Sequence, residues 1–244
     1  VQPGNGTARV LILGNSYAGI VVNYLNPMLK PIAKEIRLFA HHGNSVHSLE
    51  TFFIGCRVLI DKSCPPFSVT WPKIVEAMKP DVTWLISREP QLTTNPLEEP
   101  IESDPTFIFM KDRLEFIGNH SKYVVIDYQS VGISLNHSMY PPRTLLRKIA
   151  RKNLNFDNLQ ITEKKWKEFD RNETLRMDKI EIPNLIRHKI SEKQCENGIC
   201  YYYNPANLHV YYADNFAHAT REQMALLEPS YRDVIEQLKK LLKL

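Results

Sequence analysis

The feature that most constrains the fold is a set of short, predominantly apolar runs that stop abruptly. They are Val10 to Leu13 in "RVLILG", the centre of "DVTWLIS" (Asp81 to Ser87), and the centre of "YVVID" (Tyr123 to Asp127). None alternates apolar with polar residues, so none reads as a strand with one wet face. Continuous apolar runs of this length, bounded by turn residues, suit strands buried on both sides. Helix-like segments separate them, which argues for a parallel sheet covered by helices on both faces.

Along the chain, Arg9 to Leu13 reads as strand one. Ala18 to Lys34 has helical periodicity, which Pro27 and Pro31 should kink or divide. Ile36 to Ala40 is strand two. Pro72 to Met78 is a short helix stopped by Lys79-Pro80, and Asp81 to Ser87 is strand three. Asp104 to Asn119 is a helix opened by Asp-Pro, and Tyr123 to Asp127 is strand four. Pro141 to Lys179 reads as helical and charged, and Leu208 to Tyr212 as a final short strand or a loop. Arg221 to Leu244 is an amphipathic helix. Its stripe is Met224, Leu227, Tyr231, Val234, Leu238 and Leu241, and Pro229 should divide it. No repeat or linker interrupts residues 1–244, so one domain is expected. The order of elements predicts an α/β three-layer sandwich, with a central, mostly parallel, doubly wound sheet.

The 244 residues can bury a sizeable core without metals. The net charge of +4 is mild, and no basic stripe with interleaved aromatics points to nucleic acid. The basic residues of 143–152 and 164–167 read as solvated helix faces. No apolar run approaches membrane-spanning length, and no signal peptide is visible. The four cysteines fall in two close pairs, Cys56 with Cys64 and Cys195 with Cys200, both in turn-rich sequence. Zinc is the rival reading, but the spacing is not that of a metal finger and no histidine pair accompanies them, so disulfides are expected. Four Asn-x-Ser/Thr sequons, at Asn5, Asn119, Asn136 and Asn172, point to glycosylation. Both signals favour an oxidising compartment.

In doubly wound sheets, ligands collect at the carboxyl ends of the strands. The loops there are "GNSYA", "HHGNS" and "SREP", joined by whatever the C-terminal segment supplies. Ser16, in the first of them, admits four readings. A phosphate cradle would want more glycines than Gly14 and Gly19. The elbow Gly-x-Ser-x-Gly fails at Ala18. The others are a nucleophile activated by a distant histidine and a simple helix cap. Of the eight histidines, His41, His42 and His47 follow strand two, His120 and His137 lie in sequons, His188 is in a charged stretch, and His209 and His218 are near the C-terminus. His218 alone has an aspartate nearby in loop sequence, Asp214 in "YYADNFAHATREQM".

This pairing resembles the SGNH (GDSL-type) hydrolases, in which a Gly-Asp-Ser block follows the first strand and an Asp-x-x-His block precedes the last helix. The chain is most similar to the SGNH domain fused to multipass membrane acyltransferases, the group that includes nose-resistant-to-fluoxetine-like proteins. "KPDVTWLISREP", "CENGICYYYNP" and "HATREQMALLEPSYRDVI" carry that closer likeness over most of the chain. The resemblance implies an SGNH, flavodoxin-like fold with Ser16 as nucleophile and His218 as base. It implies Gly43, with Asn44 beside it, in the second block. Asn15 replaces the aspartate of the first block. The Gly-x-Asn-Asp block is absent from "SREP", where Arg88 or a reaching Asn44 would have to supply the missing donor. Losing such a donor costs about 10²–10³ in rate. The orienting acid is one place out of step: either Asp214 serves, or Asn215 stands at the family's position.

The resemblance implies a serine-dependent O-acyl ester hydrolase or acyltransferase acting on an acylated small molecule, glycan or lipid. No metal or organic cofactor is called for. The compartment is secreted or lumenal (ER or Golgi), as the soluble part of a membrane protein whose acyltransferase domain lies outside this chain. The alternative is a degenerate SGNH domain that binds acylated ligands or a protein partner without turnover.

Overall fold

The computed structural model describes residues 1–40, 64–88, 90–134, 140–153, 155–214 and 216–244. The chain opens with β1 (Gln2–Pro3), β2 (Ala8–Gly14), α1 (Ser16–Leu29) and β3 (Ala33–Ala40). It continues through α2 (Cys64–Met78), β4 (Val82–Ile86), α3 (Pro90–Thr94), α4 (Pro105–His120) and β5 (Tyr123–Asp127). Then come α5 (Pro141–Ala150), β6 (Gln160–Thr162), α6 (Glu163–Lys179) and β7 (Leu185–His188). β8 (Cys195–Glu196), β9 (Ile199–Tyr201) and α7 (Arg221–Leu242) complete it.

The main sheet runs β1-β3-β2-β4-β5-β7, parallel except for β1, which pairs antiparallel with β3. Numbered by themselves, the parallel strands stand in the order 2-1-3-4-5, the flavodoxin-like arrangement. The order reverses at β2, so the crevice beyond the carboxyl ends of β2 and β4 is the natural ligand site.

The apolar runs are continuous because each strand buries alternate residues on opposite faces. Val10, Ile12, Val82, Trp84 and Val125 pack toward α1 and α7. Leu11, Leu13, Leu85, Val124 and Ile126 pack toward α2 and α4. A fully buried Leu or Val contributes roughly 1.5–3 kcal/mol, so neither face can be polar cheaply.

Several sequence expectations need correction. Pro27 and Pro229 do not divide their helices; α1 and α7 run through them. A mid-helix proline costs about 3 kcal/mol, and buried side chains on both sides of each hold the axis: Leu25 and Leu29 in α1, Leu227 and Tyr231 in α7. Helix α1 stops at Leu29, and β3 begins at Ala33 rather than Ile36. The α7 stripe gains Ile235 and loses Leu241, which is 40% exposed.

The stretch 141–179 is not one helical region. It holds two helices and β6, which pairs with β9 in a second sheet of order β6-β9-β8. The β8–β9 turn is Asn197-Gly198, both at positive φ, the backbone that an Asn-Gly hairpin turn favours. Segment 208–212 contributes only isolated bridges, Tyr203 to Val210 and Tyr212 to Ala219. Edge strand β7 was not foreseen, since its "LIRH" mixes apolar and charged residues.

A polar network lies inside the core. The Asp127 carboxylate accepts from Trp84 Nε1 at 2.7 Å, from Tyr231 Oη at 2.8 Å and from His188 Nδ1 at 2.8 Å. His188 Nε2 meets Ser230 Oγ at 2.7 Å.

Candidate active site

β2 ends at Gly14 beneath a ceiling that excludes a side chain: a Cβ there would stand 1.8 Å from the Ile86 carbonyl oxygen. The chain turns at Asn15 and enters α1. Asn15, not Ser16, is the cap; its Oδ1 accepts from Tyr17 N at 3.1 Å. Its other amide atom is also committed, because Nδ2 donates to the Arg88 carbonyl at 3.0 Å, and Arg88 N approaches Oδ1 at 3.4 Å. Asn15 thus ties the β2 loop to the β4 loop across the crevice. Ser16 is left as the first helical residue, its hydroxyl free of capping.

The partner of Ser16, His218, arrives from the far end of the chain. His218 Nε2 lies 2.9 Å from Ser16 Oγ, and His218 Nδ1 lies 2.6 Å from Asp214 Oδ2. Asp214 also shapes its own loop: Oδ1 accepts from Phe216 N at 2.9 Å and His218 N at 3.2 Å. Burial opposes the ionised carboxyl, but the hydrogen bonds from the His218 ring and from the two backbone N–H groups outweigh it and hold its pKa below the usual carboxylate value. An ionised Asp214 accepts a hydrogen bond from Nδ1–H, which keeps the proton on that nitrogen and leaves the Nε2 lone pair facing the serine hydroxyl. Between Asp214 and His218, Ala217 sits in the left-handed region at φ 60°. A non-glycine residue pays roughly 1–2 kcal/mol for that conformation.

Two supports were not legible in the sequence. Tyr17 reaches over the base loop, its hydroxyl donating to the Phe216 carbonyl and its ring centred 5.3 Å from that of His218. Burial drives the phenol's pKa far up, so it remains a donor at any working pH. From below, fully buried Tyr212 accepts from Gly132 N at 2.7 Å and from Gln194 Nε2 at 2.5 Å. Gly132 must be glycine, since a Cβ would fall 2.3 Å from the Tyr212 ring and 2.6 Å from Ala217 Cβ. Neither Tyr212 nor Gly132 stands in a recognisable motif.

His188 makes a second Ser–His–Asp array, but it is sealed. Asp127, His188 and Ser230 are 5%, 4% and 8% exposed, and Asp127 is saturated by Trp84 and Tyr231.

The remaining expected residues divide plainly. Arg88 lies at the mouth of β4. Gly43, Asn44, Asn215, Asn136 and Cys56, with His41, His42, His47 and His137, lie outside the described residues. The Cys64 side chain is likewise outside them. Cys195 and Cys200 face each other across β8 and β9 and are disulfide-bonded. Asn5 and Asn119 are exposed. At Asn172 the nitrogen that would carry a glycan is engaged within the fold, since Nδ2 donates to the Asn95 and Thr93 carbonyls at 3.0 and 3.4 Å.

Among solved structures, a lipopolysaccharide acetyltransferase periplasmic domain of Salmonella ser. Paratyphi A matches with a TM-score of 0.57. It is 14% identical, over 95% of this chain and 84% of that one. A protein assigned as an acylhydrolase from Bacteroides fragilis matches with a TM-score of 0.48 and 14% identity, over 97% and 90% of the two chains. No curated protein sequence matches. The model of one family, described as the SGNH domain fused to AT3 domains, matches residues 1–233, the strands of the main sheet and the Ser16 and His218 loops included. The chain belongs to that family of SGNH domains.

Proposed function

We propose that the chain is a serine-dependent O-acyl ester hydrolase or acyltransferase in which Ser16 attacks, His218 moves the proton and Asp214 orients the base. The observation that carries this reading is the continuous chain from Ser16 Oγ through the His218 ring to Asp214, at 2.9 and 2.6 Å. As Oγ attacks the ester carbonyl carbon, its proton passes to His218 Nε2. The tetrahedral oxyanion forms beside the Ser16 N–H, one of the first-turn groups that no helical carbonyl accepts. The positive end of α1 favours that charge. Collapse expels the alkoxide, which takes the proton from Nε2 and leaves Ser16 acylated. Water or an acceptor hydroxyl then gives its proton to His218 and attacks the acyl carbon; the bond from that carbon to Ser16 Oγ breaks, and Oγ takes the proton back from His218.

The family's fusion to AT3 domains supports a soluble extracytoplasmic domain that works with a membrane acyltransferase region. Among the described residues no helix is long and apolar enough to cross a membrane. The similarly folded Salmonella domain, from an acetyltransferase of lipopolysaccharide, makes a glycan hydroxyl a reasonable acceptor. A screen of aryl esters from acetyl to long-chain, comparing wild type with His218→Ala, tests the proposal. Turnover of at least one ester that falls by orders of magnitude in the variant is expected. No turnover of any ester, or equal turnover by both proteins, would favour the alternative of binding without catalysis.

A further inference from the structure

Arg176 and Arg88 are treated oppositely by this fold. Arg176 is fully buried and saturated. Its Nε and Nη2 grip Asp104 at 3.0 and 2.8 Å, and Nη1 and Nη2 also donate to the carbonyls of Leu92, Asn95 and Pro96. Arg88 is half-buried, with Nε and Nη2 out of contact with solvent, yet neither atom has a hydrogen-bond partner. Among the described residues no carboxylate pairs with it. A hydrogen-bond donor held out of water without a partner is costly, so an unpaired guanidinium edge is suited to a ligand that meets it.

Its place is informative. Arg88 stands just beyond β4, at the reversal of strand order, and its backbone is fixed on both polar atoms by Asn15, the neighbour of Ser16. Burial drives the Tyr17 phenol's pKa up, and the Arg88 charge is the largest influence opposing it. Tyr17 follows Ser16 in α1, and its ring lies against His218. The acid that anchors the base is not available to it, because both Asp214 oxygens are taken within their own loop.

The two unpaired atoms are also a matched pair. Nε–H and Nη2–H point the same way, the side-on fork that grips two oxygens of a carboxylate or phosphate in parallel. Arg176 uses that same edge on Asp104. We propose that Arg88 is an anion receptor beside Ser16, so that the substrate of this site carries a carboxylate or phosphate close to the reacting ester. The inference rests on the catalytic reading for its substrate meaning, but the anion site itself stands apart from turnover.

The test is calorimetric titration of the chain with glucuronate and, separately, with inorganic phosphate; the two arms tell an acidic sugar from a phosphate group. At least one should bind saturably, one per chain, and Arg88→Met should weaken it about tenfold or more. Arg88→Lys, which keeps the charge and loses the fork, should fall between. Circular dichroism and thermal midpoints identify any misfolded variant, and if Arg88→Met misfolds, the Lys variant decides. The anion that binds should slow fluorophosphonate labelling of wild-type Ser16. Wild type that binds neither anion overturns the proposal, as does folded Arg88→Met, or a Lys variant serving in its place, that binds as well as wild type. If Ser16 never labels while the anion binds through Arg88, the catalytic reading fails and the receptor stands.

Discussion

Gly132→Ala isolates the brace beneath the base loop. The added Cβ would meet Tyr212 Cε1 and Cζ at 2.3 and 2.4 Å and Ala217 Cβ at 2.6 Å. Carbon atoms rest at about 3.5–4.0 Å, so the neighbours must retreat by about 1 Å. Tyr212 is buried and its hydroxyl is held by Gly132 N and Gln194, so it cannot swing away without losing those bonds. Much of the displacement falls on Ala217 and the residue after it, His218. A shift of about 1 Å there takes the contact with Ser16 out of hydrogen-bond range and costs roughly 10²-fold in rate. Overpacking adds about 1–3 kcal/mol of destabilisation. The assay is hydrolysis of an aryl ester that the wild type turns over, with the rate of fluorophosphonate labelling as a second readout and urea unfolding as the stability measure. Adding Ala217→Gly removes one of the clashing carbons and suits the left-handed backbone, so the double variant should recover part of the loss. Full activity and unchanged stability in Gly132→Ala would refute the claim that this contact positions His218.

Other outcomes follow from the same contacts. Tyr17→Phe keeps the ring against His218 but drops the tether to Phe216; the loss of about 1 kcal/mol should cut kcat several-fold with KM little changed, and an effect on KM alone would contradict it. Asp214→Asn should cost up to about 10⁴ in kcat, as in the corresponding serine-protease variant. Because the native pKa of Asp214 is lowered, the charge is in place above its unfolded value and is lost only as pH falls through the lowered one. A variant near wild-type rates at neutral pH would contradict the role. Asp127→Ala leaves three buried donors, on Trp84, His188 and Tyr231, without their acceptor and should cost about 3–5 kcal/mol in urea unfolding, at roughly 1–3 kcal/mol for each unsatisfied group; a loss under about 1 kcal/mol would contradict it. Asp170 has the opposite sign. Burial raises its pKa to about 7, against Thr174 and Lys189 and with help from Asp178. The folded chain therefore keeps a proton that the unfolded chain gives up above about pH 4, and stability falls between about pH 4 and 7. Asp170→Asn should flatten that slope; a slope as steep as wild type's would contradict it.

The central strands were legible because burial on both faces favours apolar residues at nearly every position, and the exceptions, Thr83 and Asp127, are hydrogen-bonded inside the core. "YVVID" is matched to the residue by β5. β7 was hidden because it is an edge strand, where Leu185 and Arg187 are only partly covered. The proline breaks were misread because local cost was weighed without the packing on either side. At the site, loop chemistry pairs Ser16 with His218, whereas the left-handed turn at Ala217, between Asp214 and His218, has no signal in the sequence. Tyr17 and Gly132 act through contacts across 199 and 80 residues of sequence, which no local pattern records.

The most direct test of the account is mass-spectrometric mapping of a fluorophosphonate on the wild-type chain, beside Ser16→Ala and His218→Ala. The account expects one adduct, on Ser16, absent from the first variant and strongly slowed in the second. An unlabelled wild type, or an adduct that persists in Ser16→Ala, would contradict it.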